Sequence, residues 1–170
     1  MRFYSGFCLR NESGFFADRL KTGEYTVAGF SYGAIRALEY ALQTPTRLDT
    51  LQLFSPAYFC NKPDSFKRLQ LKGYRRDGVS YRSRFIESCF APYPVREVEI
   101  ADDGEAALQT LLTYGWPENA LRTLRARGVG IEVYLGGKDA VIDAEAARAY
   151  FTPHATVFYF KDANHFLLGE

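Results

Sequence analysis

The sequence contains few residues of the kinds that cross-link a chain or hold a metal: three cysteines and two histidines among 170 residues. The cysteines, Cys8, Cys60 and Cys89, lack the spacing of a metal site, and none of them stands beside a histidine. An odd, scattered set favours reduced thiols over a disulfide framework, so we expect a protein of the cytoplasm. The sequence has no metal motif and no phosphate-binding loop, and we predict no metal and no cofactor.

Long apolar stretches and an excess of one charge are also missing. No apolar run is long enough to span a bilayer, and residues 1–7 lack the apolar core of a secretory signal, so we expect no membrane contact. The formal net charge is +1 and no nucleic-acid-binding signature is present, which argues against a nucleic-acid partner. Charge is nevertheless uneven, because residues 58–90 include eight basic and three acidic side chains. A mildly acidic body therefore carries one basic segment.

Strand-like and helix-like segments alternate along the chain, which predicts one α/β domain over residues 1–170 with a mostly parallel sheet. Apolar and β-branched runs predict five strands, at 2–5, 26–30, 50–55, 131–136 and 156–160. Helical spacing predicts flanking helices at 13–20, 34–43, 117–127 and 144–151. Residues 58–115 break the alternation and hold helical patterns of their own, at 65–75, 80–89 and 103–114. We predict that this insertion is a helical lid over the active site, the alternative being a helical cover for the core.

The most informative stretch is Gly29-Phe30-Ser31-Tyr32-Gly33, a G-x-S-x-G sequence between a predicted strand and a predicted helix. A nucleophile elbow requires that context, because its sharp turn exposes a serine hydroxyl above the edge of the sheet. The first N–H groups of the following helix point to the same place. Ser31 is therefore the candidate nucleophile, the alternative being a glycine-rich turn capped by a serine.

Asp139 and His165 are the candidate partners of this serine. Asp139 ends the loop 136–139 after a predicted strand, and ligands gather at the carboxyl ends of strands in open α/β sheets. Asp143 competes for the role but has the position of a helix N-cap. His165 follows the last predicted strand, whereas His154 stands after a proline in a predicted solvated turn. Serine, acid, then histidine is the order of the α/β-hydrolase triad, in which the histidine removes the serine proton and the acid orients the imidazole.

A tetrahedral intermediate formed at Ser31 needs hydrogen-bond donors for its oxyanion. The residue after the nucleophile supplies one backbone N–H, which here is that of Tyr32. A loop after an earlier strand supplies the second, and Ser5-Gly6-Phe7 directly follows the first predicted strand. We therefore predict an oxyanion hole formed by the N–H groups of Phe7 and Tyr32; the alternative for residues 5–7 is a plain strand-ending turn.

Basic side chains recur at helical spacing within the predicted lid. Arg68, Lys72, Arg75 and Arg76 stand at i, i+4, i+7 and i+8, so a helix would place them on one face. Most such stripes are solvated surface, but a one-signed stripe near an active site also suits an acidic protein partner. Four aromatic residues of the same segment could line a channel for an acyl chain or form the core of the lid: Phe66, Tyr74, Tyr81 and Phe85.

Several stretches resemble the compact pimeloyl-acyl-carrier-protein methyl ester esterases of biotin synthesis, within the α/β-hydrolase superfamily. The resemblance covers most of the chain and rests on Arg2-Phe3, Ser5-Gly6-Phe7, Asn11-Glu12-Ser13, residues 29–35, Leu53-Phe54-Ser55-Pro56, Gly128-Val129, Ile131-Glu132-Val133, Lys138-Asp139, Phe160-Lys161-Asp162 and Asn164-His165. Its more specific parts are Phe66-Lys67-Arg68-Leu69-Gln70-Leu71 and the short length of the chain. Larger hydrolases have additional leading strands and a His-Gly pair before the oxyanion donor, where this chain has Ser5.

The resemblance implies a reduced α/β-hydrolase fold and a definite reaction. The family hydrolyses the distal methyl ester of a pimeloyl chain, which a thioester joins to the phosphopantetheine arm of acyl carrier protein. A basic lid suits this acidic partner, and we predict a docking site for the carrier at Lys67, Arg68, Lys72, Arg75 and Arg76. A general short-chain carboxylesterase or thioesterase, and a hydrolase-like binding module without turnover, are the alternatives, because one fold hosts many functions.

Overall fold

Five parallel strands form the central sheet of the computed structural model, which describes residues 1–169. In chain order they are β1 (Arg2–Tyr4), β3 (Thr26–Phe30), β4 (Thr50–Phe54), β6 (Gly130–Gly136) and β7 (Thr156–Phe160). They lie side by side in the same order, so each crossover connects neighbouring strands. Their carboxyl ends therefore share one edge of the sheet. The five-stranded parallel sheet predicted from the sequence is confirmed.

Side chains alternate between the two faces of this sheet, as the pleat of a strand requires. On one face, Leu51 and Leu53 of β4 join a buried cluster with α1 (Tyr32–Gln43), α5 (Glu118–Ala126) and α6 (Ala144–Phe151). The opposite face holds a second cluster rich in aromatic rings, in which Phe16, Phe30, Phe54, Tyr134 and Phe166 pack together. These two clusters hold the strand ends, and with them the loops that follow, in fixed positions.

The predicted helix at 13–20 is wrong in kind and in length. The chain instead forms a 3-10 helix over Glu12–Phe16, followed by turns. The N–H of Leu20 donates to the carbonyl oxygen of Phe16 (2.7 Å), and the N–H of Lys21 donates to the side-chain oxygen of Gln52 (2.8 Å). Phe16 is fully buried, and its ring stacks on that of Phe54 with 4.6 Å between the ring centroids. Packing of the ring therefore decides the local backbone.

Residues 58–115 contain α2 (Asp64–Arg76), α3 (Gly78–Phe90), the short strand β5 (Glu99–Ile100) and α4 (Gly104–Thr113). None of the residues of α2 is buried, whereas Leu108, Leu111 and Leu112 of α4 belong to the main core. β5 pairs antiparallel with β2 (Leu9–Arg10), a two-residue strand that the sequence analysis did not predict. Within residues 1–169, no helix combines the length and the apolar character that a membrane crossing demands.

Candidate active site

Ser31 lies at a sharp turn between β3 and α1. Its backbone has φ 52° and ψ −113°, outside the conformations that residues other than glycine prefer. Two glycines permit the turn, because a Cβ on Gly29 would overlap the carbonyl group of Gly33, and a Cβ on Gly33 would overlap the carbonyl oxygen of Tyr4. The Ser31 N–H donates to the carbonyl oxygen of Phe54 (2.9 Å), which ties the turn to the neighbouring strand. This local structure is that of a nucleophile elbow.

The structure brings Ser31, His165 and Asp139 together, although up to 134 positions separate them in sequence. Nε2 of His165 lies 3.0 Å from Oγ of Ser31, and Nδ1 of the same ring lies 2.5 Å from Oδ2 of Asp139. The side chains of His165 and Asp139 are fully buried, and Ser31 is 2% exposed. Each residue follows the carboxyl end of a parallel strand: Ser31 follows β3, Asp139 follows β6 and His165 follows β7. The arrangement matches that of a serine, histidine and aspartate triad.

The second carboxylate oxygen of Asp139 is also fixed. Oδ1 accepts hydrogen bonds from the N–H groups of Val141 (2.7 Å) and Ile142 (3.0 Å), so the carboxylate has little freedom to leave the imidazole. The competing acid, Asp143, instead caps α6, because its Oδ1 accepts from the N–H of Ala146 (3.0 Å). The two carboxylates therefore have the different partners that the sequence analysis expected, the imidazole for Asp139 and the helix N-terminus for Asp143.

Asn164 supports the loop that carries His165. The sequence shows only that Asn164 directly precedes His165, and no pattern predicts this supporting role. It is fully buried, and its Nδ2 donates to the carbonyl oxygen of Phe90 at the end of α3 (2.7 Å). Its Oδ1 accepts from the N–H of Leu168 (3.1 Å). A Cβ on Gly136 would overlap the Asn164 carbonyl oxygen, so the loop also packs closely on the end of β6. These contacts hold the imidazole over Ser31.

The two predicted oxyanion donors lie in different surroundings. Tyr32 is the first residue of α1, and an N–H at this position has no acceptor within its own helix. Phe7 is fully buried, yet its N–H has no hydrogen-bond acceptor among residues 1–169. The loop of Phe7 lies against the elbow, since a Cβ on Gly33 would overlap the carbonyl oxygens of Tyr4 and Ser5. A buried, unpaired N–H is rare in proteins, and the Phe7 N–H remains a candidate donor to an anion.

Aromatic side chains from residues 58–115 close the site. The ring of Phe7 packs against those of Phe85 (5.5 Å between centroids) and Tyr74 (6.3 Å). A cavity of about 420 Å³ lies between α2, α3 and α4, and none of the three triad residues lines it. Its apolar lining consists of Phe59, Phe66, Leu69, Tyr81, Phe85, Leu108, Leu111, Leu112 and Val141. Ala140 and Val141, which follow Asp139 in the chain, are the lining residues that lie beside the triad in sequence.

Of the four aromatic residues predicted to line an acyl channel, Phe66, Tyr81 and Phe85 line this cavity, whereas Tyr74 does not. The hydroxyl of Tyr74 donates instead to Oδ1 of Asp102 (2.8 Å), next to α4. Burial raises the pKa of Tyr81 to about 12, so its hydroxyl stays neutral beside the cavity at physiological pH.

The five basic residues proposed for docking all lie on α2 but are not equivalent. Arg68, Lys72 and Arg76 are exposed, and Lys67 is half-buried. Arg75 is exposed too, but it donates two hydrogen bonds to Oε1 of Glu105 on α4, at 2.8 and 2.5 Å. The guanidinium of Arg75 therefore joins α2 to α4 within the chain.

The second histidine lies away from the triad and differs from its prediction. His154 is half-buried rather than fully solvated, with Nε2 3.9 Å from Oε2 of Glu118 and its ring beside that of Tyr150. Among residues 1–169, the side chains of histidine, cysteine, aspartate and glutamate nowhere form a group of three or more suited to a metal ion.

No family model matches the chain, and no curated protein matches its sequence. Solved structures do share its fold. A carboxylesterase of the ammonia-oxidizing thaumarchaeon Nitrososphaera gargenis is similar over 83% of this chain and 57% of its own, with 17% identity and a TM-score of 0.57. A bromoperoxidase from Bacillus anthracis is similar over 84% of this chain and 60% of its own, with 15% identity and a TM-score of 0.64.

A shorter protein, BioG from Haemophilus influenzae, is similar over 96% of this chain and 87% of its own, with 10% identity and a TM-score of 0.57. The chain thus spans less than two thirds of the carboxylesterase and the bromoperoxidase but most of BioG. Likenesses at these identities concern the fold alone. The α/β-hydrolase fold predicted from the sequence is confirmed, and the chemistry must be argued from the site.

Proposed function

We propose that the protein is a serine hydrolase that cleaves a carboxylic ester, and that its substrate is the methyl ester of pimeloyl-acyl carrier protein. One observation supports hydrolysis above all: a hydroxyl, an imidazole and a carboxylate lie in line, with 3.0 and 2.5 Å between successive groups. A binding module has no need of that alignment, whereas a serine requires it to become a nucleophile.

In the reaction, Oγ of Ser31 attacks the ester carbonyl carbon while its proton passes to Nε2 of His165. Asp139 holds the imidazole through Nδ1 and stabilises its positive charge. The N–H groups of Tyr32 and Phe7 stabilise the oxyanion of the tetrahedral intermediate. The proton of Nε2 then goes to the departing methoxide oxygen, so methanol leaves and the acyl group remains on Ser31. Attack by water, again with His165 as base, releases the carboxylic acid and restores the serine.

Three features support the more specific substrate. The sequence resembles the compact esterases of biotin synthesis over most of its length. The cavity between α2, α3 and α4 is apolar over most of its lining, which suits a methylene chain. Arg68, Lys72 and Arg76 expose positive charge on α2, a helix that lines the same cavity, and an acidic carrier would be attracted there.

The experiment is mass spectrometry of carrier-bound methyl pimelate before and after incubation with the protein. Ester cleavage lowers the mass of the loaded carrier by one CH2 unit, whereas thioester cleavage frees the unloaded carrier, so one spectrum distinguishes the two reactions. The Ser31→Ala variant is the control and should leave the loaded carrier intact.

Two outcomes would contradict the specific proposal. Equal or faster turnover of small free esters would favour a general carboxylesterase, and release of unloaded carrier would favour a thioesterase. Covalent labelling of Ser31 by a fluorophosphonate tests the hydrolase chemistry separately, because a binding module would remain unlabelled.

A further inference from the structure

Two carboxylates hold the loop that carries Phe7, because each accepts a hydrogen bond from the backbone N–H of a residue next to Phe7. The N–H of Gly6 donates to Oε1 of Glu12 (2.6 Å), and the N–H of Cys8 donates to Oδ2 of Asp103 (2.6 Å). The N–H of Phe7, between them, has no acceptor among the described residues 1–169. Of three consecutive backbone donors, the outer two are therefore occupied by carboxylate oxygens, and the middle one is left available.

Glu12 is an unusual residue to find buried. It is 2% exposed, and its Oε2 has no hydrogen-bond partner, so its contact with Gly6 is made at the cost of burying a carboxylate. This burial raises its pKa above the usual value for glutamate. An apolar side chain would avoid the burial of a carboxylate but would leave the buried Gly6 N–H without an acceptor.

Asp103 reaches the loop from the other side and from a distant part of the sequence. It directly precedes α4, and its side chain caps no N–H of that helix. Cys8 has a left-handed backbone conformation (φ 58°), and its carbonyl oxygen accepts from the N–H of Ala101 (2.9 Å). Arg10 lies 3.4 Å from Oδ1 and partly balances the charge. The loop is thus fastened to the inserted segment as well as to the sheet.

We propose that Glu12 and Asp103 are positioning residues that fix the Phe7 N–H as an oxyanion donor for Ser31. Each acts through the backbone and does not touch the substrate. The inference rests on the proposed function only in so far as Ser31 carries out acyl transfer; it does not depend on the pimeloyl substrate. The role is that of a hydrogen-bond acceptor, so a neutral amide oxygen in the same place should serve equally well.

The test compares amide and apolar replacements of similar size. Glu12→Gln and Asp103→Asn keep an acceptor oxygen, whereas Glu12→Met and Asp103→Leu remove it. The kcat and KM for hydrolysis of p-nitrophenyl butyrate are measured for each variant, together with the thermal unfolding midpoint. We expect the apolar variants to lose roughly 10²-fold in kcat, the scale of one lost oxyanion donor, with KM within about twofold of the wild type. The amide variants should retain kcat within about threefold.

Three results would overturn the inference. They are a folded apolar variant with the kcat of the wild type, a loss confined to KM, and amide variants as impaired as the apolar ones. If Glu12→Met does not fold, Asp103→Leu decides alone, because Asp103 is 16% exposed and caps no helix. A wild-type protein inert to both ester and fluorophosphonate would instead contradict the proposed function. An active wild type whose apolar variants have the same kcat would contradict only the positioning role of Glu12 and Asp103.

Discussion

Ser31 has a backbone conformation that residues other than glycine rarely adopt, with φ 52° and ψ −113°. Its positive φ costs free energy, which hydrogen bonds from its own N–H to Phe54 and from the N–H of Ala57 to its carbonyl oxygen (3.2 Å) help to offset. The glycines on either side have a different task, since they let the helix and the preceding loop approach each other. Strain at the serine and close approach at the glycines are two separate conditions for the elbow.

The close approach at Gly33 leads to a prediction on stability. Gly33→Ala places a Cβ against the carbonyl oxygens of Tyr4 and Ser5, which are backbone atoms that cannot rotate away. We expect a loss of roughly 1–3 kcal/mol in the free energy of unfolding, the usual cost of overpacking, measured by urea titration. Gly115→Ala is the matched control, because a Cβ there has no neighbour within 4 Å. A Gly33→Ala protein as stable as this control would contradict the packing argument.

The triad geometry leads to a prediction on rate. Ser31→Ala, His165→Ala and Asp139→Asn should each lower kcat for ester hydrolysis by roughly 10⁴-fold or more, since the three groups act as a unit. Circular dichroism should show an unchanged fold. Asp143→Asn is the matched control: it alters the neighbouring acid but keeps a good helix N-cap, so activity should persist. Near-full activity in any of the three triad variants rules that residue out of the mechanism.

At the scale of elements, α2 is held differently from the helices of the body. None of its residues is buried, and its polar links run to the segment around α4, through Arg75 to Glu105 and through Tyr74 to Asp102. Asp102 also accepts a hydrogen bond from Arg82 of α3 (2.9 Å). The adjacent Asp103 accepts one from the N–H of Cys8, next to Phe7. Surface ion pairs of this kind contribute little free energy each. The helix that exposes basic charge is therefore joined to the body by exposed polar links and by the apolar side chains of Phe66 and Leu71, which pack on the main core.

Charge reversal on α2 tests the docking proposal. The triple variant Arg68→Glu, Lys72→Glu, Arg76→Glu should raise KM for the carrier-bound ester by roughly tenfold or more, and most strongly at low salt. Its kinetics on a small free ester should stay within about twofold of the wild type, because none of the three side chains belongs to the triad.

The control for this triple variant is a protein with the same net charge, in which three exposed arginines outside α2 are reversed: Arg47, Arg96 and Arg122. Equal losses in both variants would point to net charge rather than a docking surface. Equal losses on both substrates would point to damage at the active site.

At the scale of the whole molecule, folding buries groups that must remain uncharged. Burial raises the pKa of the Cys8 thiol from 9.0 to about 11 and the pKa values of Tyr81, Tyr114 and Tyr150 from 10.0 to about 12. A raised pKa in the folded state means that the protonated form is the one that folding favours. The stabilisation is complete below the pKa of the unfolded chain and is lost as pH rises through that of the folded one.

Because of Cys8, we therefore expect the free energy of unfolding to fall from about pH 9 to about pH 11. The buried tyrosines should extend this decline to about pH 12. Urea titrations across the range measure it. Cys8→Ala should be less stable at neutral pH because it leaves a cavity, but it should lose stability more gradually between these values. A stability that stays level or rises over the same range would contradict this assignment.

Much of the site could be predicted from the sequence, because short-range rules govern it. The spacing of glycines around Ser31 specifies a turn that few other sequences allow, and strand and helix patterns on either side show where that turn lies. Asp139 and His165 each follow a recognisable strand, and parallel strands bring their carboxyl ends to one edge. Backbone geometry and periodicity therefore sufficed for the order and placement of the three residues.

Tertiary contacts decided the remainder, because they join residues that sequence spacing does not relate. The contact between the Asp139 carboxylate and the imidazole joins two separate loops, and the pairing of Arg75 with Glu105 joins two separate helices. The N–H of Lys21 pairs with Gln52, 31 positions away, and the N–H of Cys8, next to Phe7, pairs with Asp103, 95 positions away. Hydrogen bonds over such separations form only when the whole chain has packed.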